Sequence, residues 1–233
     1  MRVLVYDCSA GISGDMNLAA LIDLGADRDI LERELSKLNV HGEWKLECRR
    51  AAQAGILGTR VDGLAHEHGH SGHSHEHHHR TMADIRRIIT ESELPDAVQM
   101  TALSIFALLA EAEAHVHGTT PDLVHFLEVG AVDSIIDIVG AAICLDLLRA
   151  DAVFTGPVEL GGGRVTCQHG VMPVPAPATA LLARHFQSTL NGPPHAAPTP
   201  TGAAYIAAVA PPAPSPLSGR IPASGYGIGH RQG

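Results

Sequence analysis

Apolar and polar positions alternate along residues 2–7, which predicts a buried first strand. Residues 8–14 (CSAGISG) then form a loop, and a helix is expected from near Asp15 to Leu24. Gly25 ends it, because glycine takes up the backbone conformation of a helix C-terminus without strain. A second helix is expected over Arg28–Leu38, followed by strands around Glu43–Arg50 and Leu57–Leu64. Between Ala65 and Arg80 nothing apolar is left to bury, so this stretch reads as a flexible loop. Helical spacing returns over Thr81–Thr90, Pro95–His117 and Asp133–Leu148. After Asp151 the pattern changes to short strands, glycine turns and proline-rich connections, with one short helix ending at Leu182. The whole predicts an α/β fold: a central β-sheet with flanking helices, a helical middle segment and a disordered loop at 65–80. The domain is expected to occupy 1–210, with the Pro- and Gly-rich segment 211–233 as a linker. There is no internal repeat.

Placing residues at about 100° intervals around the Pro95–His117 helix puts Ala102, Ile105, Phe106, Leu109 and Val116 on one apolar stripe. Glu113 projects from that stripe and His117 lies one turn on, while Glu111 and His115 point away. A carboxylate in an apolar stripe is costly unless it is paired or ligates a cation. Glu113 and His117 therefore mark either an inward polar site or a Glu–His hydrogen bond near the helix end. On the next helix Asp133 and Asp137 share a face, and Asp137 is embedded in the run IIDIV. Asp133 has an ordinary role available as a helix cap; Asp137 has none. His125 and Glu128 precede this helix, and together with Asp133 and Asp137 they form a mixed nitrogen and oxygen set suited to a divalent cation.

Two turns carry groups suited to anions. The loop Gly11-Ile12-Ser13-Gly14 opens a helix and can aim backbone N–H groups at a phosphate, although it lacks the GK[ST] of a P-loop. Asp7 and Asp15 flank it, Asp15 as an N-cap and Asp7 as a metal or hydrogen-bond partner. In Thr199-Pro200-Thr201-Gly202 the ordinary role for Thr201 is again an N-cap. His169 stands before a second proline run, unplaced by spacing alone.

Composition narrows the function. A net charge of -9 with no basic patch argues against nucleic acid or an anionic membrane as a partner. Aromatics make up only 3% of the chain, so the core must be built from Ala, Leu, Ile and Val. The four cysteines, with no CxxC among them, read as free thiols of a reducing compartment. The opening MRVLVYDC lacks a signal-peptide layout, and the most apolar stretches, 102–110 and 135–148, are short or broken by Asp137 and Asp146. A cytoplasmic protein is expected. The loop at 65–80 holds eight of the sixteen histidines. Imidazole binds nickel, copper and zinc, and a tract without fixed geometry suits capture rather than catalysis.

Taken in order, these pieces resemble one family. Asp7 to Met16 (DCSAGISGDM), Glu111 to Gly118, Glu128 to Gly140, His169 to Ala178, Thr199 to Ala203 and Gly225 to Gly229 are similar to the ordered motifs of the LarC-type nickel insertion proteins, as is the histidine-rich loop. The resemblance implies nickel delivery into pyridinium-3,5-bisthiocarboxylic acid mononucleotide, forming the nickel-pincer cofactor of lactate racemase-type enzymes. It further implies a metal-inserting lyase coupled to CTP hydrolysis with Mn2+ or Mg2+, in a C-terminal part that some members make as a separate chain; a homo-oligomer is also expected. On this reading His117, His125, Glu128 and Asp137 are the leading nickel ligands, with Glu113, Asp133 and His169 behind them. Ser13, Gly14 and Asp15 receive the nucleotide phosphate, assisted by Thr199 and Thr201. Two departures stand out: Leu127 replaces a family histidine, and Ala196-Ala197-Pro198 replaces an acidic residue before the second turn. The rival readings are a nickel or zinc storage chaperone working through its histidine tract, and a degenerate paralogue serving as an assembly module.

Overall fold

The computed structural model describes residues 1–40, 44–65, 80–124, 126, 132–167, 170–190 and 197–230. The histidine-rich loop, His125, Leu127, Glu128, His169 and Ala196 lie outside these residues.

The helices form where periodicity and caps agree. Helix α1 (Gly14–Leu24) begins one residue before the expected Asp15 and ends at Gly25, with φ +120°. Helix α2 (Arg28–Leu35) is capped by the Asp27 side chain and stops three residues short of the expected Leu38. Helix α3 (Met82–Thr90) opens with a reciprocal Thr81–Asp84 capping box. Helix α4 (Asp96–His117) ends on left-handed Gly118, and α5 (Val132–Leu148), α6 (Pro177–Leu182) and α7 (Pro200–Val209) follow. By length and hydropathy α4 qualifies as a membrane span, yet it packs within the core against α3, α5, α6 and α7. Ala102, Ile105, Phe106 and Leu109 supply its buried face, as the helical spacing requires. Helix α1 lies across α5, where Gly140 lets Leu18 approach closely: a Cβ on Gly140 would stand 3.2 Å from both Leu18 methyl carbons.

The expected central sheet does not form among the described residues. Strands pair two by two: β1 (Val3–Tyr6) parallel to β4 (Ala152–Thr155), β2 (Trp44–Gln53) antiparallel to β3 (Ile56–Ala65), β5 (Val158–Glu159) parallel to β8 (Ser188–Thr189), and β6 (Arg164–Cys167) antiparallel to β7 (Gly170–Pro173). All strands but β2 and β3 are two to four residues long, too short for a continuous ladder, and helices fill the core instead. One backbone bond, Glu159 N–H to Cys8 C=O at 3.1 Å, joins the β5 pair to the chain leaving β1. The β2–β3 hairpin turns on Ala54 and Gly55, both at positive φ, a two-residue turn whose twist matches that of the strands.

Within the segment 211–233, residues 225–229 return to the body and lie along β3. Thr59 N–H donates to Tyr226 C=O at 2.9 Å, and Ile228 N–H donates to Thr59 C=O at 2.8 Å.

Candidate functional site

The loop after β1 is locked against the start of α7. Gly11 has φ +80°, and a Cβ there would meet the Ala197 backbone at 3.0 Å. Thr199 N–H donates to Ile12 C=O at 2.9 Å, and a Cβ on Gly202 would sit 2.4 Å from that same carbonyl oxygen. Only glycine fits at 202, so the N-termini of α1 and α7 adjoin, and Ser13, Gly14 and Asp15 come together with Thr199 and Thr201. The caps differ from expectation. Thr199, not Thr201, caps α7 by accepting from Gly202 N–H at 3.2 Å, because Thr201 lies one residue inside the helix and is buried. Ser13 is the N-cap of α1, yet its hydroxyl donates to the Asp15 carboxylate rather than capping the backbone.

Asp137 meets this junction from α5. A Cβ on Gly14 would lie 2.7 Å from Asp137 Oδ2 and 3.0 Å from its Cβ, so the carboxylate fills the space beside the first turn of α1. The helix dipole favours an anion there. Desolvation outweighs it: burial first, then the charges of Asp15 and Asp133, push the Asp137 carboxyl well above the ordinary range. Burial likewise raises Asp133, whose Oδ1 is shut away from solvent with no hydrogen-bond partner among the described residues. Two neighbouring carboxyls are thus under-compensated at one helix junction. Such a site is completed by protons or by a cation.

Glu113 and His117 face each other at the end of α4, with Oε2 to Nε2 at 3.5 Å and Glu113 the more enclosed of the two. The helical angles anticipated this pair. The connection from α4 to α5 carries His125 and Glu128, which, like His169, lie outside the described residues. Among the described residues no group of three His, Cys, Asp or Glu side chains forms a metal centre. Cys8, Cys48 and Cys144 are free thiols, and burial pushes Cys8 and Cys144 up to about 12, leaving them protonated and unsuited to ligation at neutral pH.

Sequence reasoning missed a buried polar core beneath the loop. The Tyr6 and Tyr205 hydroxyls lie 2.8 Å apart, Tyr205 also bonds the Asn17 side chain, and Asn17 Oδ1 is buried with no partner among the described residues. An asparagine one turn after Gly14 in an apolar helix was the available signal. A cleft of about 410 Å³ opens beyond the C-terminal end of β1, lined by Asp7, Ser9, Glu159 and Thr189 among others. Asp7 accepts from Ser9 N–H at 3.0 Å, and buried Glu159 accepts from Gly161 N–H at 2.9 Å and from the Thr189 hydroxyl at 2.7 Å.

The profile of the nickel insertion protein family matches residues 4–233. The pyridinium-3,5-bisthiocarboxylic acid mononucleotide nickel insertion protein of Akkermansia muciniphila is 78% identical over 233 residues, 100% of this chain and 57% of that protein. Its namesakes in Clostridium kluyveri and Geobacillus kaustophilus are 48% and 43% identical, each over 99% of this chain and over 59% and 56% of their own lengths. The chain therefore spans a little over half the length of these relatives. No solved structure matches it.

Proposed function

Because the chain belongs to the nickel insertion protein family, we propose that it binds nickel and delivers it into pyridinium-3,5-bisthiocarboxylic acid mononucleotide. The observation that carries this reading is enclosed Asp137 beside the first turn of α1, with Asp133 one turn before it on α5, two carboxyls raised by burial and in want of positive charge. Nickel accepts mixed imidazole and carboxylate ligands, so Asp137 and Asp133 are assigned to the cargo ion together with His125 and Glu128 from the adjoining connection. His117, Glu113 and His169 complete the ligand set as the ion is passed on.

Ser13, Gly14, Asp15, Thr199 and Thr201 are assigned to the mononucleotide. Its phosphate lies at the exposed rim of the two helix N-termini, where N–H groups favour an anion. With nickel in place, the charge of Asp137 no longer repels that phosphate, so this arrangement predicts that metal and nucleotide bind cooperatively. CTP hydrolysis with Mn2+ or Mg2+ is assigned to a further C-terminal part or partner chain, as the family resemblance implies, with residues 1–210 and the returning run 225–230 forming the nickel-handling part. The lyase-class activity, a cytoplasmic location and a homo-oligomeric state belong to the same reading.

Anaerobic nickel titration, with and without the bisthiocarboxylate nucleotide, tests it. Cooperative uptake supports insertion, whereas nickel uptake indifferent to the nucleotide refutes it. The eight histidines within 66–79 favour a second reading, a nickel or zinc store. Deletion of 66–79 separates the two: a store loses nearly all its metal, whereas the insertion reading predicts that one tight site survives.

A further inference from the structure

The GYGIG run at 225–229 is a strap laid along α1, and its spacing explains its glycines. Every second residue of an extended chain advances about 6.6 Å, close to the roughly 6 Å of four helical residues, so alternate strap positions face successive turns of the helix. The alternate positions here are Gly225, Gly227 and Gly229. A Cβ on Gly225 would lie 2.4 Å from Ala20 O, one on Gly227 would lie 1.8 Å from Met16 O, and one on Gly229 would lie 2.9 Å from Met16 Sδ. The strap meets the helix backbone at Gly225 and Gly227, where no other residue fits, and Gly229 lies against the Met16 side chain. The strap runs from the C-terminal toward the N-terminal end of α1. Arg60 holds it by donating to the carbonyls of Ile228 and Gly229, and Asp23 accepts Tyr226 N–H at 2.9 Å.

This track ends at the candidate site. His230 Nε2 lies 3.5 Å from Asp15 Oδ2 and 3.1 Å from Asp62 Oδ1. Asp15 accepts the Ser13 hydroxyl on its other oxygen, and Asp62 is held in turn by Arg49 at 3.1 Å. The imidazole thus ties the first turn of α1 to β3 through two carboxylates.

The geometry points to His230 as a positioning residue: delivered by the strap, its imidazole fixes Asp15 beside Asp137 and so sets the affinity of the α1 junction for a divalent cation. This rests on the reading of Asp137 and Asp133 as a cation site and adds a residue to it. Groups that orient carboxylates around a metal typically control 10- to 100-fold in affinity.

The test is calorimetric nickel titration of the full chain with the eight histidines of 66–79 changed to Gln, so that imidazole-only sites do not compete. His230→Ala is expected to weaken nickel binding by about 10- to 100-fold. His230→Gln keeps an N–H donor at a similar reach and is expected to restore affinity to within a few-fold. The side chain is about half exposed, so neither change threatens the fold, and an unchanged melting temperature checks this. Unchanged affinity in His230→Ala, or equal loss in Ala and Gln, overturns the positioning role. Asp137→Asn in the same titration keeps the two ideas apart: nickel binding that survives it removes the cation site itself, whereas binding lost in Asp137→Asn and untouched in His230→Ala removes only the role of His230.

Discussion

Changing Asp137 to Asn is expected to stabilise the metal-free protein, and increasingly so as pH rises. The side chains are nearly the same size, so no cavity opens and the principal difference is the ionisable proton. In the unfolded chain the carboxyl ionises near pH 4. In the folded chain burial, with Asp15 and Asp133 adding to it, raises its pKa well above that value. Between the two pKa values the folded chain keeps a proton that the unfolded chain has released, so stability falls as pH rises. The slope reaches about 1.4 kcal/mol per pH unit, tenfold in the folded-to-unfolded ratio, and the loss becomes constant above the folded pKa. Below the unfolded pKa both carboxyls are neutral and the variant gains little. Urea unfolding of both proteins from pH 4 to 8 in chelator gives the test, because subtracting one curve from the other cancels every other titrating group. The difference is expected to grow with pH until the folded pKa is passed and to level off above it. Saturating nickel should reverse it, raising the stability of the wild type much more than that of the variant. Parallel pH curves would refute the burial argument, and equal nickel stabilisation would refute the cation site.

Three further outcomes follow from the packing. Gly227→Ala places a Cβ 1.8 Å from the Met16 carbonyl oxygen and is expected to lift the strap at a cost of about 1–3 kcal/mol; hydrogen exchange should then show lost protection at the Thr59 and Ile228 amides, whereas Gly162→Ala, with nothing within 4 Å, should be silent. Thr199→Ala removes the α7 cap and should cost about 1 kcal/mol in chemical denaturation; Thr201→Ala costing more would put the cap back where the sequence suggested it. Tyr205→Phe deletes the hydroxyl shared by Tyr6 and Asn17 and should cost about 1–3 kcal/mol by leaving buried groups unpaired, with a thermal melt as readout and an unchanged midpoint counting against the network.

How much of this was legible beforehand depended on the range of the interaction. Helices were readable because their signals are local, as with Gly25 at the end of α1 and the stripe through Ala102 and Leu109; the Thr81–Asp84 box and Gly118 are local signals of the same kind that the structure adds. Asp137 stood out for an equally local reason, a charge within four branched apolar residues. The central sheet failed because strand-like runs do not name their partners, and those after residue 151 proved too short to form one ladder. Placing the α7 cap at Thr201 was off by two residues, since the hydroxyls of Thr199 and Thr201 both precede helix amides.

The contact of Gly14 with Asp137, and the arrival of His230 at Asp15, span 123 and 215 residues and left no periodic trace. They did leave a compositional trace, in glycines whose purpose appears only when the neighbouring backbone is in place. Gly11 and Gly202 bring two helix N-termini together, Gly14 admits a carboxylate, and Gly227 lets the strap lie on α1. Each contact draws a distant segment toward the same corner of the molecule. That corner is also where stability is sacrificed, with Asp137 held far above its ordinary pKa and an Asp133 oxygen left without a partner. Carboxyls left under-compensated where two helix N-termini adjoin are where a ligand is expected to supply the balance. A divalent cation would balance both carboxyls at once.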